Sequence, residues 1–291
     1  MDTVVVTGGL GNVGEWVIDG LLAAGYHVVC LDLERPGEGP EGVDCRAVDL
    51  TEQGETWEVI HDADPDAVVH LAAYNWTGLV AGTKTFLDNV ASTYNVLSAA
   101  GVAGARTVNT SSLSALGYFD RRVPDAVPVD ESAPLVPDDE YAASKIVGET
   151  VAAMVADRRD VAIGSIRPAW VNFPDDYQLR SDAAQSDPQG GQGALWTYID
   201  ARDFARLVRA IVETEFTGHE TVLACARDTY LTVPTAEALE TVYDEPPDAS
   251  SLEANESPVS TARAAALFGW TPEHSWRDVR GETIEPPGLF E

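Results

Sequence analysis

Thr7-Gly8-Gly9-Leu10-Gly11-Asn12-Val13-Gly14 stands where an apolar run, Thr3-Val4-Val5-Val6, gives way to a helical pattern. Glycines at such a junction let the backbone turn tightly and leave bare N–H groups at a helix start open to an anion. Behind the turn, Val13, Val17, Leu21 and Ala24 recur at helical spacing, and Gly25 supplies a stop. A second strand-like run, residues 27–31, then ends at an acidic residue, Asp32.

That order predicts a βαβ unit holding a dinucleotide. Gly8, Gly11 and Gly14 make the turn and the close approach, while Asn12 and Val13 open the helix against the pyrophosphate. Asp32 is placed to accept from a ribose diol and to repel a 2′-phosphate, which favours NAD. Arg35, close by, leaves NADP open. Asp49 and Leu50, after a third run, are candidates to flank the adenine, with a plain loop turn as the competing reading.

Outward from this unit the alternation continues. Residues 3–7, 27–31, 44–48, 67–71, 105–110 and 161–166 read as strands separated by amphipathic stretches. Repeated strand and helix predict an α/β fold, a doubly wound parallel sheet of the Rossmann kind. After Pro168 the texture changes: residues 172–193 are rich in Asp, Gln, Gly and Pro, and an excursion this long is usually functional. A strand at 197–199, a helix at 202–214, a strand at 221–224 and helices at 235–242 and 260–267 complete the expectation. Residues 1–167 with 196–228 form the nucleotide-binding domain, and 168–195 with 229–291 a small discontinuous lobe on the substrate side.

Composition narrows the function classes. The 291 residues are 45% hydrophobic, enough for a large core, and no apolar run approaches the roughly 18–20 residues of a membrane span. The N-terminus starts on a strand pattern with no basic and apolar leader, so a cytoplasmic protein is expected. With 48 acidic against 18 basic residues the formal net charge is -30, which disfavours nucleic acid and anionic membranes as partners. The carboxylates are spread along the chain, and only Lys84 and Lys145 are lysines, a pattern expected of a halophile's surface. Cys30, Cys45 and Cys225 predict no disulfide framework, and the five histidines show no metal-ligand spacing, so no metal is expected.

Two further segments carry chemistry. Tyr141-Ala142-Ala143-Ser144-Lys145 is predicted helical, which puts Tyr141 and Lys145 one turn apart on one face. An ammonium beside a phenol favours phenolate, so Tyr141 could serve as a general base. Asn109-Thr110-Ser111-Ser112 closes the fifth strand at the carboxyl edge, where such sheets bind ligands. A serine there can steady a substrate oxygen, and equally can cap a turn.

TGGLGNVG, HLAA at 70–73, Asn89, SSLSALG at 111–117, YAASK and Ser165-Ile166-Arg167-Pro168, in this order, resemble the extended short-chain dehydrogenase/reductase family. Tyr198-Ile199-Asp200-Ala201-Arg202-Asp203 and Leu267-Phe268-Gly269-Trp270-Thr271-Pro272 resemble its late motifs. The resemblance implies Tyr141 as catalytic base, Lys145 as its partner and Ser112 as the aligning hydroxyl, with Ser111 as fallback. It also implies Leu71, Ala72 and Ala73 lining the cofactor, Asn89 supporting the site and Pro168 flanking the nicotinamide. Residues 84–100 and 141–156 resemble helices that pair into a four-helix interface in relatives, which implies a homodimer.

The substrate expected is a small sugar or sugar acid, oxidised as by the family's uronate and aldose 1-dehydrogenase branch. Residues 190–197, before Tyr-Ile-Asp, hold no basic side chain to neutralise a nucleotide-sugar diphosphate. Tyr74, Asn75, Trp76, Trp170, Asn172, Trp196 and Arg180 are candidate sugar contacts; core packing of the aromatics and a solvated Arg180 are the competing readings. A nucleotide-sugar epimerase or dehydratase retaining its NAD, or a non-catalytic dinucleotide sensor, are the alternatives.

Overall fold

The computed structural model describes residues 2–36, 39–75, 78–119, 122–174, 185–189, 193–279 and 284–290. Val4, Val5 and Val6 are wholly buried, as a strand covered on both faces must be. This strand, β1 (Thr3–Thr7), is central in a seven-stranded parallel sheet. On one side lie β2 (His27–Asp32) and β3 (Val43–Ala47); on the other, β4 (Ala67–His70), β5 (Arg106–Thr110), β6 (Ile163–Pro168) and β9 (His219–Ala224). Strand order reverses at β1, which opens a crevice at the carboxyl edge between β1 and β4.

Helices cover both faces. Helix α1 (Asn12–Ala23) buries Val17, Ile18 and Leu21, and α5 (Ala201–Glu213) packs beside it. Helix α1 ends as predicted at Gly25, φ +89, where Tyr26 N–H reaches Leu21 O and Gly25 N–H reaches Leu22 O, a Schellman closure. The opposite face carries α2 (Gln53–Ala63), α3 (Gly82–Ala103) and α4 (Glu140–Arg159), with α3 against α4 as the most extensive helix pair. Asp139 caps α4 by accepting from Ala142 N–H at 2.6 Å, which places Tyr141 in the first turn.

Beyond Pro168 the chain departs from the expected boundaries. The run near 197–199 is a strand, β8 (Tyr198–Asp200), but it pairs with β7 (Trp170–Asn172) in a separate two-stranded sheet. At three residues β7 is too short to show alternation, and its partner lies beyond a long excursion. A second core joins Trp196, Tyr198 and Trp276 with α6 (Thr235–Val242), and it also takes in Leu113, Leu116, Tyr118, Val127 and Val129. Helix α7 (Ala262–Phe268) and Trp270 return to the main core against α5. The second core thus takes side chains from between residues 113 and 129, and Ala264, Phe268 and Trp270 pack in the main core.

Candidate functional site

The glycine-rich turn has the shape its sequence requires. Gly8 takes φ +70, and a Cβ on it would lie 2.8 Å from the Ala72 backbone. A Cβ on Gly14 would lie 2.5 Å from the Gly8 and Gly9 carbonyl oxygens. Gly9 also excludes a side chain, because Cys30 Sγ would lie 2.5 Å from its Cβ. Gly11 caps α1 with no side-chain bond, so the N–H groups of Asn12 and Val13 at the helix start face outward toward the positive end of its dipole.

Asp32 stands at the tip of β2 with Oδ2 accepting from Leu10 N–H at 3.1 Å and Oδ1 from Leu33 N–H at 2.8 Å. These bonds hold the carboxylate at the mouth of the crevice beside the turn. Asp49 accepts from both Thr51 N–H and Thr51 Oγ1, which lowers its pKa and closes a local turn. Leu50 is buried under β1 and β2 with Val48 and Ile60. Leu71, Ala72 and Ala73 run half-buried from β4 along the crevice, with Ala72 N–H donating to Thr7 Oγ1 at 3.3 Å.

His70 joins this layer unannounced by any spacing. Its imidazole is 1% exposed and bridges Thr7 Oγ1 at 2.8 Å and Thr93 Oγ1 at 3.1 Å. Burial, reinforced by the Lys145 ammonium, pushes its pKa down to about 3, so the ring is neutral. Asn89 acts as a clamp: Oδ1 accepts from Tyr74 N–H at 2.8 Å, and Nδ2 donates to Tyr74 O at 3.0 Å and Ser144 Oγ at 3.2 Å.

The chemistry-bearing side chains meet at the carboxyl edge between β5 and α4. Burial pushes the Tyr141 phenol up to about 12, while its hydrogen bond with Ser112 pulls it down. Lys145 Nζ lies 5.5 Å from the Tyr141 ring centre and donates to Thr110 O at 2.9 Å. Burial lowers its pKa to about 8, which still leaves the ammonium mostly charged at neutral pH. Ser112 Oγ accepts from Ser114 N–H at 3.1 Å and contacts Ser114 Oγ at 2.9 Å, so it caps the short turn Leu113–Leu116 while facing Tyr141. The two readings of this serine are thus compatible.

Ser111, the fallback hydroxyl, is 1% exposed and donates to Glu149 Oε1, so it points away from Tyr141's partner position. Pro168 ends β6 beside Ala224 of β9. Of the sugar-contact candidates, Tyr74 is half-buried with Lys84 Nζ 5.6 Å from its ring centre, Asn75 is exposed, and Trp170 is 61% exposed on β7. Asn172 is buried and donates to Trp170 O at 2.9 Å. Trp196 is wholly buried with Nε1 donating to Pro188 O at 3.0 Å, a core residue and not a stacking platform. Trp76 and Arg180 lie outside the described residues.

A model of the NAD dependent epimerase/dehydratase family matches residues 4–225. The chain belongs to that family. The family is NAD-dependent, and the residues present fit that cofactor: a bare backbone cradle at Gly8–Gly14, an uncapped helix start and a carboxylate at Asp32. UDP-glucose 4-epimerase of Mycolicibacterium smegmatis is 28% identical over 207 residues, covering 68% of this chain and 62% of that protein. L-arabinose 1-dehydrogenase (NAD(P)(+)) of Haloferax volcanii is 29% identical over 195 residues, covering 64% and 74%. The chain thus spans less than two thirds of the mycobacterial relative.

Among solved structures, a mutated uronate dehydrogenase superposes at TM-score 0.70 and 22% identity, covering 99% of this chain and 90% of the other. UDP-glucose 4-epimerase of Thermotoga maritima, with UDP-glucose, superposes at 0.71 and 19%, covering 99% and 97%. At these identities the likeness establishes the Rossmann-type fold. Among the described residues no group of three or more potential ligands could hold a metal, and no helix is long and apolar enough to cross a membrane.

Proposed function

We propose that this family member oxidises a hydroxyl of a small sugar or sugar acid, in the manner of an aldose or uronate 1-dehydrogenase. The observation carrying this reading is the turn before β8, where Ala194, Leu195 and Trp196 are wholly or almost wholly buried. A diphosphate needs cations, and these three positions supply packed apolar side chains. Nearby arginines are held in carboxylate pairs: Arg202 with Asp200, Arg277 with Asp228 and Arg227 with Asp278.

Bound NAD supplies the hydride acceptor. Tyr141 is the base placed to receive the hydroxyl proton as that oxygen becomes a carbonyl oxygen. Ser112 steadies the same oxygen, and Lys145, anchored on Thr110 O, places positive charge beside the phenol to favour its ionised form. Asn89 holds the Tyr74 backbone across the site, and Tyr74, Asn75 and the exposed Trp170 are our candidates for the sugar face, with the buried Asn172 bonded to the Trp170 carbonyl.

The match to UDP-glucose 4-epimerases supports a second reading, reversible oxidation with the hydride returned to the sugar. A panel of aldoses and uronates with NAD and NADP, in high and low salt, separates the two. Accumulating reduced nicotinamide supports the dehydrogenase; interconversion of UDP-sugars with none released replaces it. Undiminished turnover by Tyr141→Phe would remove the assigned base under either. Leu87, Tyr94 and Met154, exposed on the outer faces of α3 and α4, support a homodimer through those helices, which the sedimenting mass reads directly. The net charge of -30 supports a cytoplasm of high salt.

A further inference from the structure

Three residues of α4 grip three consecutive residues of the β5 end. Tyr141, Lys145 and Glu149 follow one another at four-residue spacing, so they share one helix face. Tyr141 bonds Ser112, Lys145 donates to Thr110 O, and Glu149 accepts from the Ser111 hydroxyl. The third rung is itself braced. Arg167, from β6, donates through Nε to Glu149 Oε1 at 2.8 Å and through Nη2 to Glu149 Oε2 at 2.7 Å. Ser111 N–H is held by Ile166 O at 2.7 Å.

Glu149 and Arg167 are 6% and 5% exposed, and both Glu149 carboxylate oxygens are taken up by Ser111 and Arg167. A buried ion pair seldom adds stability over an apolar pair of equal volume, because desolvation cancels the attraction. One guanidinium nitrogen, Arg167 Nη1, has no hydrogen-bond partner among the described residues, so the pair is not built for maximal stability. What the fork geometry does provide is direction: a bidentate carboxylate has one orientation, and through it so has Ser111.

We propose that Glu149 and Arg167 are positioning residues that aim Ser112 at the Tyr141 phenol by holding Ser111. This rests on the proposed role of Tyr141 and Ser112. Without the brace the Ser112 hydroxyl is positioned by its Ser114 contacts alone, and its backbone can draw back from the phenol, so the phenolate loses a donor and the phenol becomes a weaker acid.

The test is Ser111→Ala, which cuts the link and leaves the Glu149–Arg167 pair intact. The protein is labelled with 13Cζ-tyrosine and titrated in its NAD-bound form, with Tyr141 assigned by the signal missing from Tyr141→Phe. The expected result is a Tyr141 pKa raised by about half a unit or more, with NAD affinity and melting temperature unchanged. In turnover, kcat falls about ten- to a hundredfold with its basic limb moved to higher pH, while KM for NAD stays put. A Tyr141 titration unmoved in Ser111→Ala overturns the proposal, whatever the turnover. Should that variant not fold, Glu149→Leu with Arg167→Met removes the brace without stranding a charge, and the same criterion applies. Failure of the catalytic reading is separate: Tyr141→Phe would then turn over normally.

Discussion

Two tight turns, one at Gly8 before α1 and one at Ala194–Trp196 before β8, solve one backbone problem in opposite ways. At the first, φ +70 falls on Gly8, with no side chain to strain. At the second, φ values of 54, 57 and 59 fall on Ala194, Leu195 and Trp196, each costing about 1–2 kcal/mol relative to ordinary backbone. The first turn must leave its backbone bare for a ligand. The second closes over a core, where burying Trp196 and Leu195 completely offsets the strain. Conformation written locally in glycine leaves backbone bare, at Gly8 for a ligand and at Gly25 merely to stop a helix, while conformation imposed by packing closes a core.

The comparison breaks most visibly at Trp196. Trp196→Ala should cost about 3–5 kcal/mol, since it empties the lobe core and removes the burial that holds the turn. Chemical denaturation measures this, and a loss below about 1 kcal/mol would show that the turn stands without its packing. Gly8→Ala should spare more of the fold yet lower NAD affinity about a hundredfold, about 2.7 kcal/mol, because the methyl meets the fixed Ala72 backbone. Titration calorimetry reads that effect, and unaltered affinity would dissociate the turn from the cofactor.

Acid should loosen the first turn before the second. His70, backing the glycine turn, has its pKa pushed from 6.5 down to about 3, so the unfolded chain binds a proton that the folded chain refuses. Its contribution is whole above pH 6.5 and shrinks as pH falls toward 3. Between pH 6.5 and about 5 the wild type should lose about 2 kcal/mol more than His70→Asn in urea unfolding. Equal losses in both proteins would place the acid sensitivity elsewhere. The smallest effect is expected from Ala194→Gly: relief of the left-handed strain offsets a lost methyl and added chain entropy, leaving stability within about 1 kcal/mol. A melting curve shifted down by more than that would mean the alanine methyl matters beyond its backbone.

How far the sequence could be read follows the same divide. The strands flanking the cofactor half were legible to within one or two residues because β1, β2 and β4 are buried on both faces and read as unbroken apolar runs. The juxtaposition of Tyr141 with Lys145 was legible from the helical period, whereas the choice of Ser112 over Ser111 came only with the resemblance, because a strand-end serine caps a turn as readily as it meets a ligand. Glu149 was within reach of the same period, four residues beyond Lys145, but a buried carboxylate looks like any other in so acidic a chain. The contacts of His70 and Arg167 could not be read from sequence, since the partners, Thr7 and Thr93 for the one and Glu149 for the other, lie 63, 23 and 18 residues away on other elements. In sequence Trp196 reads equally as a sugar contact or as core, and only its packing with Tyr198 and Trp276 decides for core.

By itself the sequence determined the alternating sheet, the dinucleotide turn and the spacing of Tyr141 with Lys145, because each is a property of a few successive residues. The tertiary structure decided which serine faces the phenol, which aromatic stays at the surface and which ions cancel. It also decided which distant segments share a core, since side chains from between residues 113 and 129 pack with Trp196, Tyr198 and Trp276. Those outcomes depend on contacts between segments far apart in the chain, and burial, which sets both the packing and the pKa values, exists only once the segments have met.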